Sequence, residues 1–207
     1  MNWRSATGII AIVTAAVSTI ALLIGGIGYW APFAGFIPAR LSGLIELSGA
    51  LPAWITPLSS ALIHGGWLHL GVNMLMLVFV GSQVERIIGG SGLLFAYVIG
   101  ALVAAATQFA VNPSAAIPMI GASGAISALF GLYALFFGAP RQVTRNQKHN
   151  RWIHVLWLMV TWVVLQWMAA YLAGGQGVML ATPAHIGGFI AGLLLQRPLL
   201  LWKYRKA

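Results

Sequence analysis

The residues able to do chemistry fall in three short runs. The first, HGGWLHLGVN over 64–73, carries His64, His69 and Asn73. The second, GASG over 121–124, offers the hydroxyl of Ser123 between two glycines. The third, TPAH over 182–185, ends on His185. A serine hydroxyl is a poor nucleophile until a base takes its proton, and histidine is the usual base near neutral pH. Ser123 opens an apolar run, so the backbone N–H groups of a helix N-terminus stand where an oxyanion would form. Thr182 is suited to N-cap the last run and Pro183 to open it. His185 then falls in the first turn, where the macrodipole favours the neutral imidazole a base requires. His69 and Asn73 are four apart and share one helix face, from which both could donate to the same anion. His64 is five before His69 and faces elsewhere. The two acids, Glu46 and Glu85, are poorly placed to complete a triad. The pattern therefore predicts a Ser–His dyad.

The elements that must hold these residues are set by composition. The chain has 207 residues, 60% of them hydrophobic and only 6% charged, with a mean hydropathy of +0.90. Soluble domains carry roughly 25% charged residues, so a soluble enzyme and a disordered chain are both excluded. The net charge of +9 points to anionic lipid rather than to nucleic acid. With no cysteine, disulfides, thiolate metal sites and a cysteine nucleophile are also excluded.

Six apolar stretches are long enough to span a bilayer. They lie at about 8–29, 59–81, 92–111, 121–139, 152–173 and 183–202, giving one all-α membrane domain over 1–207. The first is too long for the apolar core of a signal peptide and is read as a retained helix. Six spans place Arg4, Arg86, Arg141, Arg145, Lys148, Arg151, Arg197, Lys203, Arg205 and Lys206 on one side, and Arg40 alone on the other. Basic loops mark the cytoplasmic face, so both termini are expected inside a bacterial plasma membrane. Helices 2, 4 and 6 then enter from outside and carry His64, His69, Asn73, Ser123 and His185 to one side of the membrane. On a helix starting at 59, His69 would lie about 15 Å deep; a later start or entry of water would relieve this. Residues 30–58 are apolar but broken by Pro32, Pro38 and Pro52, as suits a segment dipping into the outer leaflet. The spacing of His185, Gly188 and Gly192 allows helices 4 and 6 to touch.

These residues together resemble the rhomboid family of intramembrane serine proteases. The resemblance runs from about residue 50 to 195. It rests on H-x4-H-x3-N (His64, His69, Asn73), G-x3-E-R (Gly81, Glu85, Arg86), G-A-S-G (121–124) and A-H-I-G-G-x3-G (184–192). It implies a six-helix rhomboid-like bundle with a partly embedded first loop and a short central helix 4 below a water-filled cavity. It implies Ser123 as nucleophile and His185 as general base. The oxyanion hole would comprise His69, Asn73 and the Ser123 N–H, with Gly121 shaping the turn and His64 organising the site. Substrates would be transmembrane segments of other proteins, cut near the outer interface; no cofactor or metal is implied. Two positions depart from the family's pattern. Ile55 follows Trp54 where arginine is frequent, and Ser127 stands where many bacterial members place a tyrosine on the base histidine.

On the residues alone, other readings stay open. Ser123 could pack helices, His185 could bond a carbonyl, and His64 could be structural. His149 and His154 read as interfacial, and Glu85 with Arg86 as a structural pair or cap at the inner end of helix 2. His64, His69 and His185 could form a three-histidine zinc centre, although a spacing of five suits two ligands on one straight helix poorly. A non-catalytic rhomboid-like protein that binds membrane clients is the other alternative; such relatives usually lack the nucleophile or the base.

Overall fold

A computed structural model describes residues 4–137, 142–172 and 181–205. Among these, regular structure is helical, with one isolated antiparallel bridge between Phe36 and Met119. The helices are α1 (Ala6–Leu23), α2 (Gly26–Ala34), α3 (Pro38–Leu41), α4 (Thr56–Ser59), α5 (Trp67–Met76), α6 (Ser82–Val111), α7 (Ser123–Phe136), α8 (Gln147–Leu172) and α9 (Thr182–Lys203). A wide turn at Leu77–Gly81 joins α5 to α6 without a break.

Among the described residues, four helical segments are long and apolar enough to cross a membrane: Ala6–Leu23, Trp67–Val111, Gln147–Ala169 and Thr182–Lys203. The second is 45 residues, about 68 Å of helix, against a hydrocarbon core of about 30 Å. It folds back on itself at Gly89, whose φ of 77° and ψ of 169° break the helix. The neighbours confirm the reversal. Gly89 lies beside Lys203 at the end of α9, whereas Thr107 lies beside Gly187 and Ala104 beside Gly124, near the starts of α9 and α7. His69, before the reversal, lies beside Gly121 at that same end. His69, Ser123 and His185 therefore collect at one end of the bundle, and Glu85, Gly89 and Lys203 at the other.

The helix boundaries depart from hydropathy where glycine intervenes. The run expected as one helix over 8–29 is two. α1 ends at Leu23, and Gly25 and Gly26, with φ of 82° and 64°, turn the chain into α2; this left-handed conformation costs glycine little. The run expected over 59–81 becomes helical only at Trp67. Before it, Ser60–Leu62 form a tight turn that the extended Ile63 ends. His64 is thus off the helix, and His69 sits in its first turn. The expected gap at 82–91 narrows to the single break at Gly89. α7 starts two residues later than expected and ends at Phe136; 138 and 139 lie outside the described residues, as does 173 at the end of the fifth run. α8 begins a turn early, at Gln147. α9 matches within one residue, but Ala181 occupies the N-cap, and the Thr182 hydroxyl accepts instead from Trp167 Nε1 at 3.1 Å.

Residues 30–58 form a structured segment rather than a bare connector. Phe36 and Met119 exchange both backbone hydrogen bonds, at 2.9 and 2.8 Å, and Ala39 N–H donates to the Ala115 carbonyl at 3.0 Å. Arg40 is held here by the Leu51 carbonyl at 2.7 Å. Arg151 instead reaches the Leu135 carbonyl at the far end of α7, so the two arginines lie at opposite ends, as the charge pattern predicts.

The outer surface is apolar, unlike that of a soluble protein, and small residues share the centre with the large ones. Leu23, Leu75, Trp157, Leu194 and Leu201 project outward, while Ala96, Ala104, Ala125 and Ala128 lie in the centre. Lipid is as apolar as leucine, so contact between membrane helices comes from small residues that let backbones approach. α6, α7 and α9 pack most closely with one another. A Cβ at Gly188 would overlap the Gly124 carbonyl, and one at Gly192 the Ala128 carbonyl. α7 is the innermost helix, with ten of its fourteen residues buried.

α1 meets this core through a polar and small face: Thr7, Ala11, Thr14 and Ser18 are all buried. Its N-terminus is capped from another helix. Glu85 accepts from the Ala6 N–H at 2.8 Å, the Thr7 N–H at 2.9 Å and the Thr7 hydroxyl at 2.5 Å. Of the two structural roles expected for Glu85, a pair with Arg86 or a cap, the structure shows the cap, on α1. Glu85 caps α1, a site favourable to a carboxylate by both hydrogen bonding and macrodipole. Arg86 turns to Gln83 Oε1 at 2.5 Å. Glu85→Ala is expected to destabilise the fold by about 2 kcal/mol, read as an earlier midpoint in denaturant titration in micelles; an unchanged midpoint would show that the cap is dispensable.

Candidate active site

Gly121 forms the turn that delivers the chain to α7. Its φ is 112°, and a Cβ there would come within 2.8 Å of His69 Cε1, so both conformation and space require glycine. Its N–H donates to the Ser60 carbonyl at 2.9 Å. The next amide, of Ala122, donates to His64 Nε2 at 3.3 Å. With these two amides engaged, α7 begins at Ser123, where the first N–H groups have no partner within the helix.

Ser123 Oγ lies 2.8 Å from His185 Nε2. The two side chains come from different helices, 62 residues apart, and the glycine contact between α7 and α9 lets them meet. Both are only 6% exposed, yet they line a narrow cleft with Pro57, Ala101, Ala104 and Ala184. For the hydroxyl to donate, Nε2 must hold a lone pair and Nδ1 the proton.

Backbone hydrogen bonds orient the supporting side chains. His69 Nδ1 accepts from the Gly65 N–H at 3.3 Å, which leaves Nε2 protonated next to Gly121, able to donate. Asn73 is fully buried and donates through Nδ2 to the His69 carbonyl at 2.9 Å. That amide braces the first turn of α5 and has one N–H left. The His64 ring meets His69 edge-on, with centroids 5.0 Å apart.

The structure thus brings together Ser123, His185, His69, Gly121 and His64, with Asn73 behind His69. It does not assemble the alternative zinc centre: among the described residues no group of three His, Asp or Glu is placed to hold a metal. Both His64 nitrogens are already engaged, by Ser18 and by Ala122.

Two residues escaped the sequence reading. At Ser127, in place of the tyrosine frequent in the resembling family, the hydroxyl donates to the Ser123 carbonyl at 2.7 Å and accepts from Trp162 Nε1 at 2.7 Å. Trp162 stacks on Phe130, with centroids 4.5 Å apart. An indole from α8 thus fills the space beside α7; nothing near Ser127 announces it. The second is Ser18, bound to His64. Its signal was the buried face of α1, where hydroxyls recur at 7, 14 and 18.

A helical bundle with lipid-suited surfaces and a Ser–His pair buried near one end defines a polytopic membrane protein with a candidate hydrolytic site. Comparison with known proteins supplies the family. The Rhomboid domain model matches residues 52–202, and the chain belongs to the rhomboid family of integral membrane proteins. It is similar to the Bacillus subtilis (strain 168) protein described as "Putative rhomboid protease YdcA", at 29% identity over 103 residues. That match covers 50% of this chain and 51% of the relative, so it spans about half the length of the curated relative.

Proposed function

We propose that this protein is an intramembrane serine endopeptidase that cleaves transmembrane segments with Ser123 and His185. The observation carrying this reading is the 2.8 Å approach of Ser123 Oγ to His185 Nε2, at the opening of a central helix in a rhomboid-family chain. As Oγ bonds the scissile carbonyl carbon, its proton passes to His185 Nε2. The carbonyl oxygen becomes an anion, held by the Ser123 N–H and His69 Nε2–H. Collapse breaks the C–N bond, and His185 returns the proton to the leaving nitrogen. Water then repeats the sequence on the acyl-enzyme, with His185 again the base.

The six-span reading is part of this proposal. α1, the two arms meeting at Gly89, α7, α8 and α9 would each cross, with both termini in the cytoplasm of a bacterial cell. α7 has fourteen residues, about 21 Å of helix, roughly 9 Å less than the hydrocarbon core. With its C-terminus near the inner face, Ser123 lies below the outer one, and the cut falls inside the membrane. The narrow cleft at Ser123, lined by Ala101, Ala104 and Ala184, suits a small residue at the cut site.

The test is labelling by an alkyl fluorophosphonate in micelles. Wild type is expected to label, with no effect of a zinc chelator, and Ser123→Ala and His185→Ala to stay unlabelled. Absence of labelling in folded wild type would overturn the protease reading in favour of client binding.

A further inference from the structure

Ser18 is fully buried in α1 and meets His64 at Nδ1, the ring nitrogen opposite the one that meets Ala122. Its hydroxyl has one proton, and the Leu62 carbonyl, 2.7 Å away, can only accept it. Toward His64 Nδ1, 2.8 Å away, Ser18 must therefore accept. Nδ1 then carries the ring proton, and Nε2 presents the lone pair that the Ala122 N–H requires. The opposite tautomer would set N–H against N–H at Ala122 and lone pair against lone pair at Ser18. The relay Leu62 carbonyl, Ser18, His64, Ala122 thus has one consistent direction.

Its end point matters. Ala122 precedes Ser123, and the peptide between them carries the N–H assigned to the oxyanion. Ser60 fixes the amide of Gly121, but the amide of Ala122 is held only through His64 among the described residues. We infer that Ser18 is a positioning residue for the proteolytic site: through His64 it holds the turn that aims the Ser123 N–H. This rests on the protease reading. Ser18 bonds Leu62 and His64 rather than Ser123 or His185, and acts from a helix that contributes nothing else to the site.

A donor that is displaced rather than deleted should cost less than the roughly 10²–10³-fold of outright loss. Ser18→Ala is therefore expected to lower the maximal rate of fluorophosphonate labelling about tenfold, with half-saturation within about twofold of wild type. Thr14→Val is the control, because Thr14 is equally buried on the same helix, while His64 is bonded by Ser18 and Ala122. An unchanged Ser18→Ala rate overturns the positioning role and leaves the protease reading standing. Equal slowing in both variants, in step with lost thermal stability, overturns it as a merely structural effect. Wild type that neither labels nor cleaves overturns the reading beneath it. A measurement on the unmutated protein removes dependence on variant folding. The ¹⁵N shifts of His64 are expected to show Nδ1 protonated and Nε2 bare; the reverse tautomer overturns the proposal.

Discussion

Ser123→Ala is expected to slow cleavage of a reconstituted single-span transmembrane peptide by at least about 10⁴-fold in kcat. His185→Ala is expected to match it, and the double variant to be no worse than either. The reason lies in the 2.8 Å contact between Oγ and Nε2. Without the imidazole, the hydroxyl proton has no acceptor in a buried site; without the hydroxyl, the imidazole has nothing to activate. Groups acting as one unit lose their joint effect once, so the losses do not add. Residual rate should come from the oxyanion donors alone. The measurement is single-turnover cleavage in liposomes, with circular dichroism and gel filtration confirming that each variant is folded. Near-wild-type cleavage by Ser123→Ala would eliminate the serine mechanism. Losses multiplying in the double variant would show that the two residues work separately.

The approach of this pair is legible in the sequence because its signals are local. A glycine-flanked serine and a histidine after Thr-Pro each open an apolar run, and the counted spans bring both to one side. His69 was legible for the same reason, but its depth was not. A span-length hydropathy average absorbs the polar His64 and the Gly65-Gly66 pair, so it does not register that the helix starts only at Trp67. That late start moves His69 from mid-span to the first turn and frees His64 to lie across the turn before Ser123. The partners that remained hidden are distant in sequence. Glu85 caps a helix 78 residues away through the Thr7 amide, and Ser127 finds Trp162 35 residues on. Neither bond leaves a periodic trace in its own segment. The Ser127–Trp162 bond also gives the missing tyrosine a physical reading: the space beside α7 is filled from α8, and the serine hydroxyl ties the indole in place.

Gly192→Val is expected to slow labelling by about 10²-fold or more, although Gly192 lies almost two turns from His185 and makes no chemistry. A Cβ at this position would overlap the Ala128 carbonyl, and the carbonyl carbon behind it would be 2.8 Å away. Both are backbone, so no rotamer change can relieve the overlap; α7 and α9 must separate. Overpacking of this kind typically costs about 1–3 kcal/mol, and the two halves of the site ride on the two helices that part. A displacement of about 1 Å between reacting groups can cost about 10²-fold in rate, and a valine adds two methyl carbons beyond the first clash. Gly71→Ala on α5 separates this from a general intolerance of glycine replacement. A Cβ there meets no atom within 4 Å, and alanine in a helix is favoured over glycine by up to about 1 kcal/mol. Gly71→Ala should therefore keep wild-type labelling with an equal or higher unfolding midpoint. Gly192→Val should slow labelling and lower the midpoint together. If Gly192→Val labelled normally, the backbone contact of α7 with α9 would not be what brings Ser123 to His185.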